Sequence, residues 1–153
     1  MVSVALSIIV PIAIYSYLPR WLQNLGYKPA PKNLLAAACV LYFVSFYLPT
    51  FRIEGQDTSF ATHFVGGGLF SGFLWLYLKQ SLRWKMLGWL ELISLYLLVS
   101  GLGVANELFE LLIEKTGITY VGSWDTWWDL LANSLGALAF WLVYKFVQSG
   151  RHF

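Results

Sequence analysis

Asp125, Asp129 and Asn133 follow one another at intervals of four in the stretch Asp125-Thr-Trp-Trp-Asp129-Leu-Leu-Ala-Asn133-Ser-Leu-Gly136-Ala137. On a helix that interval places all three on one face, with Gly136 close to the same line. Leu138 to Val147 is almost wholly apolar, so the helix that carries them is long enough to enter a bilayer. Ionisable groups at the mouth of such a helix are costly and are functional candidates by default. Glu107 and Glu110 stand three apart in another apolar stretch, again on one helical face. Two close carboxylates resist ionising together, so such a pair shares a proton or holds a cation. His63, between Asp57 and a glycine run, supplies an imidazole for metal ligation or proton transfer. His63, Glu107, Glu110 and Asp129 form an oxygen-rich set with one nitrogen donor, compatible with Mg²⁺, Mn²⁺ or Zn²⁺ and selecting none of them. As acid/base groups the same residues suit hydrolysis or transfer, with Asn133 holding a neighbour or orienting a substrate. Plainer assignments stand beside these. A histidine in a span often only bonds a neighbouring helix, and Asp125 and Asp57 are each placed to cap a helix N-terminus.

The elements that must position these groups follow from composition. The chain has 153 residues, 58% of them hydrophobic and 12% charged, with mean hydropathy +0.63, which excludes an ordinary soluble domain. Eight Trp and nine Tyr suit a protein with two membrane interfaces. A lone cysteine, Cys39, rules out an intrachain disulfide. No phosphate loop, Cys/His zinc set or nucleic-acid signature is present. Hydropathy predicts an all-α integral membrane bundle, one domain over residues 1–153, with about five transmembrane helices near 2–18, 33–50, 57–78, 86–112 and 125–147. Residues 2–18 lack a basic leader and a small-residue cleavage site, so a retained span is expected, kinked at Pro11. Pro19–Lys32 reads as a loop with Trp21 and Tyr27 as interface anchors, and Phe51–Gln56 as a short loop.

Charge orients this bundle. With Pro19–Lys32 cytoplasmic, Arg20, Lys28, Lys32, Lys79, Arg83, Lys85, Lys145 and Arg151 share that side, eight of the ten basic residues. The positive-inside rule then predicts a multi-pass cell-membrane protein with its N-terminus outside and its C-terminus cytoplasmic. Seven of the eight acids, all but Glu91, sort to the outer side. Glu107, Glu110, His63, Asp129 and Asn133 all lie roughly 6–13 Å along their helices from the outer ends. Small residues in the same three spans, Gly66-Gly67-Gly68 and Gly72, Gly101 and Gly103, and Ala132, Gly136 and Ala137, allow the close approach that would bring these groups together. The third and fifth spans also share a spacing of eleven, from Asp57-Thr58 to Gly68 and from Asp125-Thr126 to Gly136. The first two spans, without comparable polar residues, are expected at the periphery.

The order His63-Phe64, then Glu107-Leu-Phe-Glu110, then Asp129-Leu-Leu-Ala-Asn133-Ser-Leu-Gly136-Ala137 resembles the VanZ-like family of small bacterial membrane proteins, over roughly Asp57 to Phe140. Family members carry an acid four residues before the histidine, where this chain has Ser59; their Glu-x-x-Gln is Glu-x-x-Glu here, and an Arg shortly before the last motif is missing. The resemblance implies a role at the cell envelope, linked in that family to glycopeptide (teicoplanin) resistance. Three functions are therefore open: a site that binds or acts on an envelope lipid, cell-wall precursor or glycopeptide; a membrane-embedded, metal-dependent hydrolase or transferase acting on a lipid; and a non-catalytic small subunit of a membrane complex. The lipid bilayer is the expected partner in each, and nucleic acid in none.

Overall fold

A computed structural model describes residues 2–53, 55–117 and 126–150. Among the described residues the protein is 80% helical, in five helices. Helix α1 is Val2–Asn24 and α2 is Lys32–Ser45; a hairpin of β1 (Phe51–Ile53) and β2 (Gln56–Thr58) follows. Next comes one continuous rod over residues 60–81, built from α3 (Phe60–Thr62), a π-helical segment (His63–Leu69) and α4 (Phe70–Ser81). Helices α5 (Gly88–Lys115) and α6 (Thr126–Ser149) complete the bundle.

Among the described residues, three helices are long and apolar enough to cross a membrane, over Ala5–Asn24, Gly88–Lys115 and Thr126–Ser149. In the most apolar 18 residues of each, only 22%, 17% and 28% are buried, so most of that apolar surface faces outward. Leu97, Leu112, Val143 and Phe146 are all more than half exposed. Contiguous apolar surface on this scale is compatible with a membrane protein.

The elements depart from the hydropathy segments in four places. Helix α1 does not stop at residue 18: it continues through Pro19 to Asn24, because the added turn buries Leu22 against Leu35 and Ala38. Helix α2 ends at Ser45, not residue 50. The Ser45 hydroxyl turns back to the Tyr42 carbonyl, and Pro49 disfavours helix in the residue before it. At 14 residues α2 spans about 21 Å, short of a hydrocarbon core of about 30 Å. The expected loop at 51–56 is the hairpin, with Gly55 in its turn at φ +81 and Phe51 paired with Thr58. Asp57 therefore sits in a strand, and Ser59, not Asp57, occupies the N-cap position of the helix that follows.

The fourth departure concerns the centre of the molecule. The rod 60–81 has two working faces. Phe70, Leu74 and Tyr77 pack with Leu22, Leu35 and Ala38 of α1 and α2, while Trp75 packs with Leu95, Val99, Ala137 and Phe140 of α5 and α6. Helix α2 is thus part of the core and not peripheral. The π segment lets three consecutive glycines give way to three different neighbours. A Cβ at Gly66 would strike the Ser45 side chain and one at Gly67 the Asn133 amide; one at Gly68 would lie 2.5 Å from the Gly136 Cα. A Cβ at Gly136 would in turn lie 2.9 Å from the Gly68 Cα, so the two helix backbones touch. The Ala30 N–H donates to Ser81 Oγ at 2.8 Å, which brings the loops after α1 and after α4 to one end.

Candidate functional site

The helix entry at Ser59 begins the site. Ser59 makes no side-chain capping bond to its own helix; its hydroxyl donates to Asp129 Oδ1 at 2.6 Å. The other Asp129 oxygen, Oδ2, lies 3.3 Å from His63 Nε2. Asp129 is 3% exposed and occupies the first turn of α6, so Ser59 and His63 close over a carboxylate almost wholly removed from water. His63 opens the π segment, whose wider turn directs it towards α5 and α6, and π segments recur at functional sites. Thr62, beside it, anchors the segment to α2 by donating to the Ser45 carbonyl at 3.1 Å.

Helix α5 brings the acidic pair. One donor atom each from His63, Glu107 and Glu110 fall within 4.8 Å of one another, and all three side chains are half-buried. Glu110 is steadied from its own helix by Asn106, whose Nδ2 donates to Oε1 at 2.8 Å. Glu107 Oε1 is buried with no hydrogen-bond partner among the described residues. Among the described residues, no lysine or arginine forms an ion pair with either glutamate.

Asn133, 4% exposed, stands one turn of α6 beyond Asp129, at the junction of three helices. Gly67 and Gly103 make room for its amide, since a Cβ at Gly103 would lie 3.0 Å from Nδ2. Its Oδ1 has no hydrogen-bond partner among the described residues. The structure therefore brings His63, Glu107, Glu110 and Asp129 into one cluster and sets Asn133 beneath it. Within that cluster Asp129 is turned to Ser59 and His63, and the set placed to share an ion is His63, Glu107 and Glu110. Asp125 lies outside the described residues.

Ser59 and Asn106 are site residues that spacing alone did not select. Asn106 had a legible signal, an i,i+4 interval to Glu110. Ser59 had a signal only in the resemblance, where it stands in place of the family's acid; no interval in the chain selects it, because its partner is 70 residues away. A largely apolar groove of about 520 Å³ adjoins the same helix entry, lined by Phe51, Ile53, Phe60, Ala61, Phe64 and Val65 together with the charged Arg52.

The opposite end holds a second polar cluster. Glu91, 4% exposed, forms ion pairs with both Lys79 and Lys145, joining α4, α5 and α6. Lys79 also donates to the Tyr144 hydroxyl at 2.9 Å and lies 5.3 Å from the Trp75 ring centroid. Trp75 Nε1 donates to Ser94 at 2.9 Å, so the aromatic wall is itself tied to α5. No family model, curated protein or solved structure matches the chain.

Proposed function

We propose that this chain is a VanZ-like, five-span integral membrane protein of the cell envelope. Its N-terminus lies outside and its C-terminus in the cytoplasm, and its outer polar site binds or acts on an envelope lipid, a cell-wall precursor or a glycopeptide. The observation that carries this is the convergence of His63, Glu107, Glu110 and Asp129 from three helices at one depth, in a bundle whose outer surface is apolar. Polar groups drawn together inside a membrane protein are expensive unless something uses them. The rod 60–81, 22 residues long, reaches about 33 Å and supports a fourth span; α2, at about 21 Å, would complete the fifth where the bilayer thins around it. The apolar groove beside the site suits a ligand with a hydrocarbon part.

The His63–Asp129 pair favours a second reading, a hydrolase or transferase on a lipid. An imidazole oriented by a buried carboxylate is the arrangement of a general base. The third class, a non-catalytic subunit, would use the same groups only to hold helices or meet a partner.

Purification in native nanodiscs followed by mass spectrometry tests the ligand. Wild type should retain an envelope lipid or precursor that Asp129→Asn and His63→Ala lose at equal expression; identical profiles would sink the proposal, and a stoichiometric protein partner would replace it with the subunit reading. Orientation is tested separately with single cysteines in a Cys39→Ser background. Labelling from outside is expected at Lys115–Trp124 and absent at Lys79–Lys85.

A further inference from the structure

We infer that His63, Glu107 and Glu110 bind one first-row divalent cation of the manganese or zinc type, with Asp129 acting as a positioning residue behind His63. The inference deepens the function proposed above and rests on the outer cluster being a ligand site.

Charge is the first support. Glu107, Glu110 and Asp129 bring three carboxylates to a cluster whose facing nitrogen group is the His63 imidazole. The same molecule neutralises a single buried carboxylate, Glu91, with two lysines. An acidic pair near a membrane interior, with no lysine or arginine on either member among the described residues, calls for a cation or a proton.

Donor geometry is the second. Ligand atoms about 2.1 Å from a common ion stand roughly 3–4 Å from one another. The three donors already lie within 4.8 Å on three half-buried side chains, so side-chain rotation closes the remaining gap without moving a helix. Glu107 Oε1, removed from water and without a donor, is an acceptor that an ion satisfies. The hydrogen bond from Asn106 fixes one oxygen of Glu110, the kind of support that orients ligating carboxylates.

The third support separates Asp129 from the ligands. Asp129 Oδ2 lies 3.3 Å from His63 Nε2, so the carboxylate is placed to orient the imidazole from behind, the usual relation of a supporting carboxylate to a ligating histidine. Ser59 occupies the other Asp129 oxygen, so the carboxylate is held on both sides. One imidazole with two carboxylates favours manganese or zinc over calcium, which prefers an all-oxygen shell.

The test uses the full chain in detergent or nanodiscs, stripped with EDTA and titrated with Mn²⁺ under electron paramagnetic resonance, then with Zn²⁺ as competitor. Wild type should bind one Mn²⁺ per chain, displaced by Zn²⁺ and not by equimolar Ca²⁺, with a rise in melting temperature on binding. Glu107→Gln and Glu110→Gln should each weaken binding at least about 100-fold. Asp129→Asn should weaken it about 10–100-fold at unchanged stoichiometry, the size expected for a carboxylate behind a ligating histidine. Glu114→Gln should change nothing. No saturable Mn²⁺ or Zn²⁺ binding by wild type overturns the inference, whatever the variants do; so does undiminished binding by Glu107→Gln. A chain that binds one Mn²⁺ but retains no envelope ligand keeps the cation and loses the proposed function. A ligand retained after EDTA and in Glu107→Gln removes only the cation.

Discussion

The two ends of α5 handle buried charge in opposite ways. Glu91 meets Lys79 and Lys145 within a wall of Trp75, Tyr144 and Trp141, and every lysine there has both an anion and a ring to lie against. Some 24 Å along the same helix, Glu107 and Glu110 meet another carboxylate's histidine and no lysine or arginine among the described residues. The first arrangement neutralises its carboxylate with two lysines and ties three helices together. The second gathers glutamates that form no ion pair with lysine or arginine among the described residues, and Glu107 Oε1 has no hydrogen-bond partner among them. Within one chain the inner cluster shows how charge is buried for stability, and the outer one, whose glutamates have no lysine or arginine ion pair among the described residues, is the contrast on which the proposed cation rests.

The largest effect should come from the seam that both clusters depend on. Gly136→Leu would drive a side chain into the Phe64 carbonyl and the Gly68 Cα, and Gly68→Leu would meet the Gly136 backbone. Backbone cannot yield as a side chain can, so the cost should exceed the 1–3 kcal/mol typical of overpacking, roughly enough to lose folded protein. Gly150→Leu, with open space around it, is the control. Size-exclusion profiles of fluorescent fusions check this, and equal profiles for all three variants would mean that the rod and α6 do not meet here.

Next in size is the inner cluster itself. Glu91→Ala leaves two lysines facing each other without their anion and should cost about 3–5 kcal/mol of stability. Under EDTA, Glu107→Gln should cost less than about 0.5 kcal/mol, because it removes an unbalanced charge. Denaturation of both variants in one detergent gives the comparison directly. Losses of equal size would make the outer cluster another structural brace.

Asp129→Asn should fall between these two in stability, losing about 1–2 kcal/mol with the charge on its Ser59 hydrogen bond, while ligand retention disappears. A larger loss of fold than of ligand would move Asp129 to the structural side. A small change of either sign is expected for Asn133→Leu, which removes a buried acceptor that has no donor among the described residues. It should shift stability by less than about 1 kcal/mol either way. A loss of several kcal/mol would show that the amide braces Gly67 and Gly103.

Sequence alone determined the class of molecule, because hydropathy and length are local quantities. The long apolar helices α5 and α6 fall within a few residues of the segments read from composition. The pairing of Glu107 with Glu110 and of Asp129 with Asn133 was legible for the same reason, since helical periodicity acts within one element. That His63 would come level with Glu107 and Glu110 was also legible, because the rise per residue converts position in a segment into distance along the helix. Which groups at that depth face each other was decided by tertiary structure. Ser59 reaches Asp129 only because the hairpin moves the helix entry from Asp57 to Ser59 and the π segment resets the faces after it. Hydropathy cannot register a three-residue strand or one wider helical turn. Packing likewise drew α2 into the core and carried α1 past Pro19, since a buried leucine outweighs one lost backbone bond. The Lys79–Glu91–Lys145 cluster joins three helices, and a contact between helices is written in no single window of the chain.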